Sequence, residues 1–172
     1  MKDELETERL TLRRYRGDDF PEIAAMWADE AVTRHIGGKP FTAEDVWAKV
    51  LKTAGHWALL GFGYWVVREK ATGAFVGEVG FGNFKREIVP AFEGAPEIGW
   101  ALVPAQHGKG YALEAVRGAL TWEAQTLASQ RTVCLIDPPN LRSIHLAEKL
   151  GYREYARTNY HGGATILFER AD

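Results

Sequence analysis

A chain of 172 residues, 46% hydrophobic and 12% aromatic, is long and apolar enough for one folded domain with a real core, which excludes a disordered polymer. Its net charge of −2 excludes a bulk attraction to nucleic acid or to an anionic membrane. The single Cys134 excludes an internal disulfide; it sits in the apolar run TVCLI, as a small buried side chain does, and this fits a reducing compartment. The N-terminus, MKDELETERL, has no apolar signal core. The longest apolar run, 57–67, is interrupted by glycine and is far shorter than the roughly 20 residues a membrane helix needs. The expectation is one cytoplasmic domain over 1–172.

In chain order, 5–15 reads as a half-buried strand, with Leu10 and Leu12 alternating with charged residues. The next segment, RGDDFPEIAAMWADE, predicts a helix capped by Asp18 or Asp19, with Pro21 in its first turn and an apolar stripe of Ile23, Met26 and Trp27. A second helix starts at Thr42, which forms a capping box with Asp45; Val46, Trp47, Val50 and Leu51 are read as its buried face. Strands are expected at 61–70 and 74–84, the second thinned on one face by glycine, followed by a loop over 85–95. Strand 131–136, a helix over 140–150 ended by Gly151, and a hairpin over 153–160 and 164–170 complete the chain. Strands interleaved with helices in this order predict an α/β fold with a mixed sheet.

The centre of the chain is PEIGWALVPAQHGKGYALEAVRG, residues 96–118. Its first part alternates, with Ile98, Trp100 and Leu102 on one side and Glu97, Gly99, Ala101 and Val103 on the other. Helical spacing begins at Ala112. Between them, Gly108 and Gly110 make a turn that enters a helix, where unpaired N–H groups and the helix dipole suit a phosphate and the absence of side chains lets the anion approach the backbone. A plain turn is the bland alternative. A P-loop is excluded because no Gly-Lys-Ser or Gly-Lys-Thr occurs, and a dinucleotide fingerprint lacks its third glycine, replaced by Leu113.

The stretch His107-Gly108-Lys109-Gly110-Tyr111-Ala112 resembles the Q/R-x-x-G-x-G/A motif of the GNAT acyl-CoA N-acyltransferases, with His107 at the position usually held by Gln or Arg and Gln106 one place early. TERLTLR (7–13), GEVGF (77–81), EIGWAL (97–102), Asn140 with Ser143, and KLGY (149–152) are similar to the RimJ/RimL-like branch, and the likeness runs from Leu5 to Arg170. The resemblance implies a mostly antiparallel mixed sheet whose two central parallel strands splay apart, flanked by helices. It implies acetyl-CoA as co-substrate: the amides of Gly108, Lys109, Gly110, Tyr111 and Ala112 around the pyrophosphate, the backbone near Leu102 and Val103 along the pantetheine, and Asn140 on its amides. Lys109 is a candidate phosphate partner or a solvated side chain, and Asn140 is also readable as a helix cap.

Transfer to an amine needs the neutral amine, so a positioned base helps, typically by about 10²–10⁴-fold. Glu97 is the first candidate and Glu78 the second; each is also readable as an ordinary strand carboxylate. The tyrosine that many relatives use to protonate the thiolate is Ala147 here. Ser143 matches the serine that RimL-like members place near the sulfur, against the alternative of an exposed helix serine. His35, His56, His145 and His161 share no ligand spacing, so no metal is expected. The function implied is acetyl transfer to a primary amine, a protein N-terminus or a small molecule, by direct attack; a non-catalytic acyl-CoA sensor is the alternative. Loops 31–40 and 85–95 are the expected acceptor walls. A homodimer is plausible by family habit, and neither nucleic acid nor membrane is expected as a partner.

Overall fold

The computed structural model describes residues 4–92, 94–127 and 129–171. In chain order these form β1 (Glu4–Glu6), β2 (Leu10–Arg14), α1 (Phe20–Ala28), α2 (Glu30–Thr33), α3 (Ala43–Leu60), β3 (Tyr64–Glu69), β4 (Phe75–Gly82), β5 (Glu97–Leu102), α4 (Tyr111–Thr126), β6 (Arg131–Ile136), α5 (Leu141–Lys149), β7 (Arg153–Tyr160) and β8 (Gly163–Ala171). The strands make one sheet in the order β1-β2-β3-β4-β5-β6-β8-β7. Every neighbouring pair is antiparallel except β5 with β6.

β4 is buried along its whole length because the sheet is covered on both faces. On one face Val79 and Phe81 join Ile98, Leu102 and the apolar side of α4, including Val116 and Leu120, in the larger core. On the other, Ile23, Met26 and Trp27 of α1 and Val46 and Val50 of α3 pack on Val66 and Ala101 in a second core. The alternation expected for 96–103 therefore holds. Glu78 lies opposite Ala101 in the β4–β5 register, and Gly80 opposite Gly99, so the α3 side of these two strands carries acids and glycines where the α4 side carries bulk.

Four local features differ from the sequence expectation. The first strand is a short hairpin, β1 with β2, because Thr7 turns the chain by donating its N–H to the Leu10 carbonyl at 2.9 Å. α2 is an additional turn of helix, started by Asp29 accepting from the Ala31 N–H. The capping box of α3 is present, yet Trp47 and Leu51 are 45% and 55% exposed, so its buried face is Val46, Val50, Thr53 and Trp57. Asp19 does not cap α1 with its side chain, because its oxygens are taken by Arg13, Arg68 and the Arg16 N–H.

Among the described residues β5 and β6 pair at one register position, Glu97 opposite Val133, beside a hydrogen bond from the Val133 N–H to the Pro96 carbonyl at 3.1 Å. Beyond it the two strands part. Since Pro96 points its carbonyl at β6, alternation puts the backbone groups of Ile98, Trp100 and Leu102 on the gap edge of β5.

Candidate active site

A cavity of about 710 Å³ opens where β5 and β6 part, and Glu78, Glu97, Trp100, Asn140 and Ser143 all line it. Its floor is the side of β4 and β5 that carries glycines and little bulk, with Gly99 overlaid so closely by Tyr64 that a Cβ there would lie 2.2 Å from the Tyr64 hydroxyl. Its walls are α3, which presents Asp45, Lys49, Lys52 and His56 at helical spacing, the segment after α2 with His35 and Ile36, and the loop before β5 with Arg86.

Both candidate carboxylates hold cations. Glu78, 1% exposed, takes Lys49 Nζ at 2.5 Å on one oxygen and the Tyr15 hydroxyl on the other. Burial, and then the Glu78 charge, raise the Tyr15 hydroxyl well above its ordinary value, so Tyr15 stays a donor. Glu97 is held by both faces of the Arg86 fork, Nη2 lying 2.6 Å from Oε1 and Nε touching Oε2. Burial opposes the charge on Arg86, but the Glu97 hydrogen bonds outweigh it and keep the guanidinium above its usual value. An incoming ammonium competes with these two cations for either carboxylate.

At the far end of β5 the chain makes a 3₁₀ turn, Pro104–Gln106, and then Gly108 and Gly110 adopt φ of +75° and +81°. Gly110 is the N-cap of α4 and uses no side-chain cap; Glu114 is the first residue of the turn seen to reach back, its N–H donating to the Gly110 carbonyl at 3.1 Å. The first amides of α4 thus point outward. A Cβ on Gly108 would meet nothing within 4 Å, so its outer face is open to a ligand. Lys109 reaches Gln106 Oε1 at 2.8 Å on the surface. Tyr111 is buried, with its hydroxyl on Glu69, and only its amide belongs to the turn, as does that of Ala112.

His107 has a role that the motif comparison does not supply. Its Nε2 lies 3.0 Å from the Leu102 carbonyl and its Nδ1 3.2 Å from Arg142 Nη1 on α5. Arg142 is always a donor, so Nδ1 accepts and Nε2 carries the proton given to Leu102. The ring therefore bridges the two sides of the gap and occupies the Leu102 carbonyl. Val103 faces the other way: its N–H donates to Val76 at 3.1 Å and its carbonyl accepts from Gln106 at 3.0 Å. Trp100, not singled out from the sequence, has its backbone on the gap edge.

The N-terminus of α5 closes the other wall. Asn140 caps it, Oδ1 accepting from the Ser143 N–H at 3.2 Å, and the carboxamide nitrogen has no partner among the described residues. Ser143 Oγ accepts from Trp100 Nε1 at 3.3 Å, which leaves its hydroxyl proton to donate. Ala147, in the place of the missing tyrosine, is fully buried in the larger core. Arg86, Lys49 and a His35–Asp137 pair are site residues that sequence reasoning did not find, since their partners lie from 11 to 102 residues away and follow no spacing rule. No group of three or more possible metal ligands occurs among the described residues.

Residues 9–153 match the family model described as the acetyltransferase (GNAT) domain. YkkB, an uncharacterised protein of Bacillus subtilis (strain 168), is 35% identical over 164 residues, covering 91% of this chain and 88% of YkkB. A GnaT-family structure from Bordetella pertussis superposes with a TM-score of 0.86 at 32% identity, covering 99% of this chain and all of that one. At the level of fold alone, RimL, a ribosomal L7/L12 alpha-N-protein acetyltransferase solved with coenzyme A, gives a TM-score of 0.80 at 15% identity, covering 98% of this chain and 97% of RimL. A splayed parallel pair and a glycine turn entering a helix, found in a chain matched over most of its length, have one reading: it belongs to the GNAT acetyltransferase family.

Proposed function

We propose that this protein moves an acetyl group from acetyl-CoA to a primary amine bound in the 710 Å³ cavity, by direct attack and in the manner of the RimJ/RimL-like branch. The observation that carries the reading is the gap between β5 and β6: among the described residues a single pairing at Glu97 and Val133, then a backbone edge that does not pair with β6 and runs toward the Gly108–Gly110 turn. An extended arm with amide groups can pair there as an added strand, while an anion at its end meets the amides of residues 108–112. RimL, which shares the fold, was solved with coenzyme A, and this supports the choice of donor.

The groups assigned to the donor are the Trp100 backbone and Leu102 N–H along the arm, the carboxamide of Asn140, and the turn from Gly108 to Ala112. His107 gives up its Leu102 contact if that carbonyl is used. Ser143 is assigned to the sulfur, its hydroxyl hydrogen-bonding the thiolate as the carbon–sulfur bond breaks. Glu78 and Glu97 are assigned as the acidic side of the acceptor pocket, each acting with the cation it holds. Among the described residues no Cys or Ser side chain of the cavity is hydrogen-bonded to a histidine or carboxylate, which favours direct attack over an acyl-enzyme.

The test is calorimetric titration with acetyl-CoA, followed by thiol release with N-terminal peptides and small primary amines in the same buffer. Binding with amine-dependent release is the expected result. No acetyl-CoA binding overturns the assignment of the gap and the turn. Ser143→Ala is expected to lower kcat while leaving acetyl-CoA affinity in place, because its hydrogen bond strengthens only as the thiolate forms.

A further inference from the structure

We propose that His35 is the proton acceptor for the amine, positioned by Asp137. The inference rests on the acetyl-transfer reading above and adds a residue to it. His35 Nδ1 lies 2.8 Å from Asp137 Oδ2, and both side chains line the same cavity as Trp100, Asn140 and Ser143. The two residues are 102 positions apart, so only the fold brings them together. Asp137 follows β6 directly, and its carbonyl accepts from the Asn140 N–H at 2.8 Å, which ties the pair to the helix end that carries Ser143.

A carboxylate accepts, so Nδ1 carries the proton and Nε2 is left with its lone pair. Among the described residues Nε2 has no partner. The two candidate carboxylates and the other histidine of the cavity are committed. Glu78 holds Lys49 and Tyr15, and Glu97 holds Arg86. His56 faces the Lys52 carbonyl with Nδ1, at 3.0 Å, and Asn83 with Nε2, at 3.3 Å. Of the two cavity imidazoles, His35 is thus the one with an open acceptor nitrogen among the described residues. Its side chain is 29% exposed, so a proton taken from the amine can pass to water.

The balance is simple. Nε2 takes one proton from the ammonium, and the freed lone pair forms the nitrogen–carbon bond to the thioester carbonyl. The carbon–sulfur bond breaks, and the departing sulfur receives the second proton lost by the nitrogen, so amide and thiol form and His35 returns its proton to solvent. The charged groups around His35 in the cavity are Asp137 and Lys39 at its own end, Asp45, Lys49 and Lys52 on α3, Glu78 on β4, and the Arg86–Glu97 pair.

The discriminating variant is His35→Asn. An asparagine keeps a nitrogen near the place of Nδ1, so it can still donate to Asp137, and it removes only the second nitrogen. The expected result is a kcat lower by about 10²–10⁴-fold at unchanged acetyl-CoA affinity by calorimetry. Wild-type kcat in H35N overturns the proposal and leaves His35 as a tether for its loop. Asp137→Asn carries the test if H35N does not fold: lowered kcat with intact acetyl-CoA binding supports the positioning role, and wild-type kcat overturns it. A wild-type protein that releases no CoA with any amine removes the transfer reading, and this residue with it; wild-type turnover beside an unaffected H35N removes only the assignment of His35.

Discussion

Replacing Gly108 by alanine separates the cost of a backbone shape from the loss of an anion site. Gly108 has φ of +75° and a Cβ built on it meets no atom within 4 Å; Gly162, in the β7–β8 turn, has φ of +81° and is equally open. An L-residue in this left-handed region costs about 1–2 kcal/mol. For a chain of this size that is a fall in Tm of about 2–8 °C, at roughly 2–4 °C per kcal/mol. Both variants should show it, because neither has a clash to add. Only at Gly108 does the new methyl stand on the outward face of the turn, where a pyrophosphate takes its hydrogen bonds. Losing one hydrogen bond to a charged group costs about 1.5–3 kcal/mol, which is a Kd weaker by about 10- to 150-fold. The assay is calorimetry with acetyl-CoA and with S-acetylpantetheine, which has no pyrophosphate. G108A should weaken the first and spare the second, and G162A should alter neither. Equal acetyl-CoA affinity in G108A and G162A would refute the cradle, whatever the melting curves show.

Three other outcomes follow from geometry already described. Asp19 is buried, which pushes its carboxyl up, but hydrogen bonds from Arg13, the Arg16 N–H and Arg68 outweigh this and hold it below its ordinary value. Its contribution is therefore complete above the unfolded value of about 3.9 and is lost as pH falls through the lower folded value; Asp19→Asn should lower the urea midpoint at neutral pH and flatten its decline below about pH 4. Gly80→Ala places a Cβ 2.2 Å from the Tyr64 Cα and 2.4 Å from the Gly63 carbonyl oxygen, backbone atoms that no rotamer can move aside. A cost of about 3 kcal/mol is expected, the upper end for overpacking, against an unchanged melt for Gly17→Ala, which meets nothing within 4 Å. Burial, and then the Glu97 charge, raise the Cys134 thiol, so it should react with iodoacetamide no faster than the protein unfolds.

What could be read from the chain was whatever obeyed a local period. The alternation of 96–103 placed Ile98 and Leu102 in one core and Ala101 in the other, as found, and the paired glycines of 74–84 correctly marked a thinned face. Reading failed where one period hid a break, as at Thr7, and where several apolar residues competed for one helix face. Trp47 lost that competition because the sheet lies on the Val46–Val50 side, a fact of tertiary packing. The glycine turn at Gly108 and Gly110 and the helix cap at Asn140 were legible, because their conformations are local. The site's side-chain chemistry was not: Arg86 reaches Glu97 from a structureless loop, and His35 meets Asp137 across most of the chain. Such pairs carry no spacing signature, only charge and reach.

The lone pairing at Glu97 and Val133 also bears on how the molecule is assembled. β1 to β5 come from one continuous stretch of chain and β6 to β8 from the next, so each half-sheet is stitched by its own neighbours in sequence. Contacts of that kind close short loops and form fast. What holds the halves as one sheet, among the described residues, is that single rung and the larger apolar core, to which Ile98 and Leu102 come from one half and Ile136 and Phe168 from the other. A chain cut between α4 and β6 would separate two pieces that each keep their strand ladders intact. Anything that lies along the seam and pairs with both sides is then a fastener as much as a reactant.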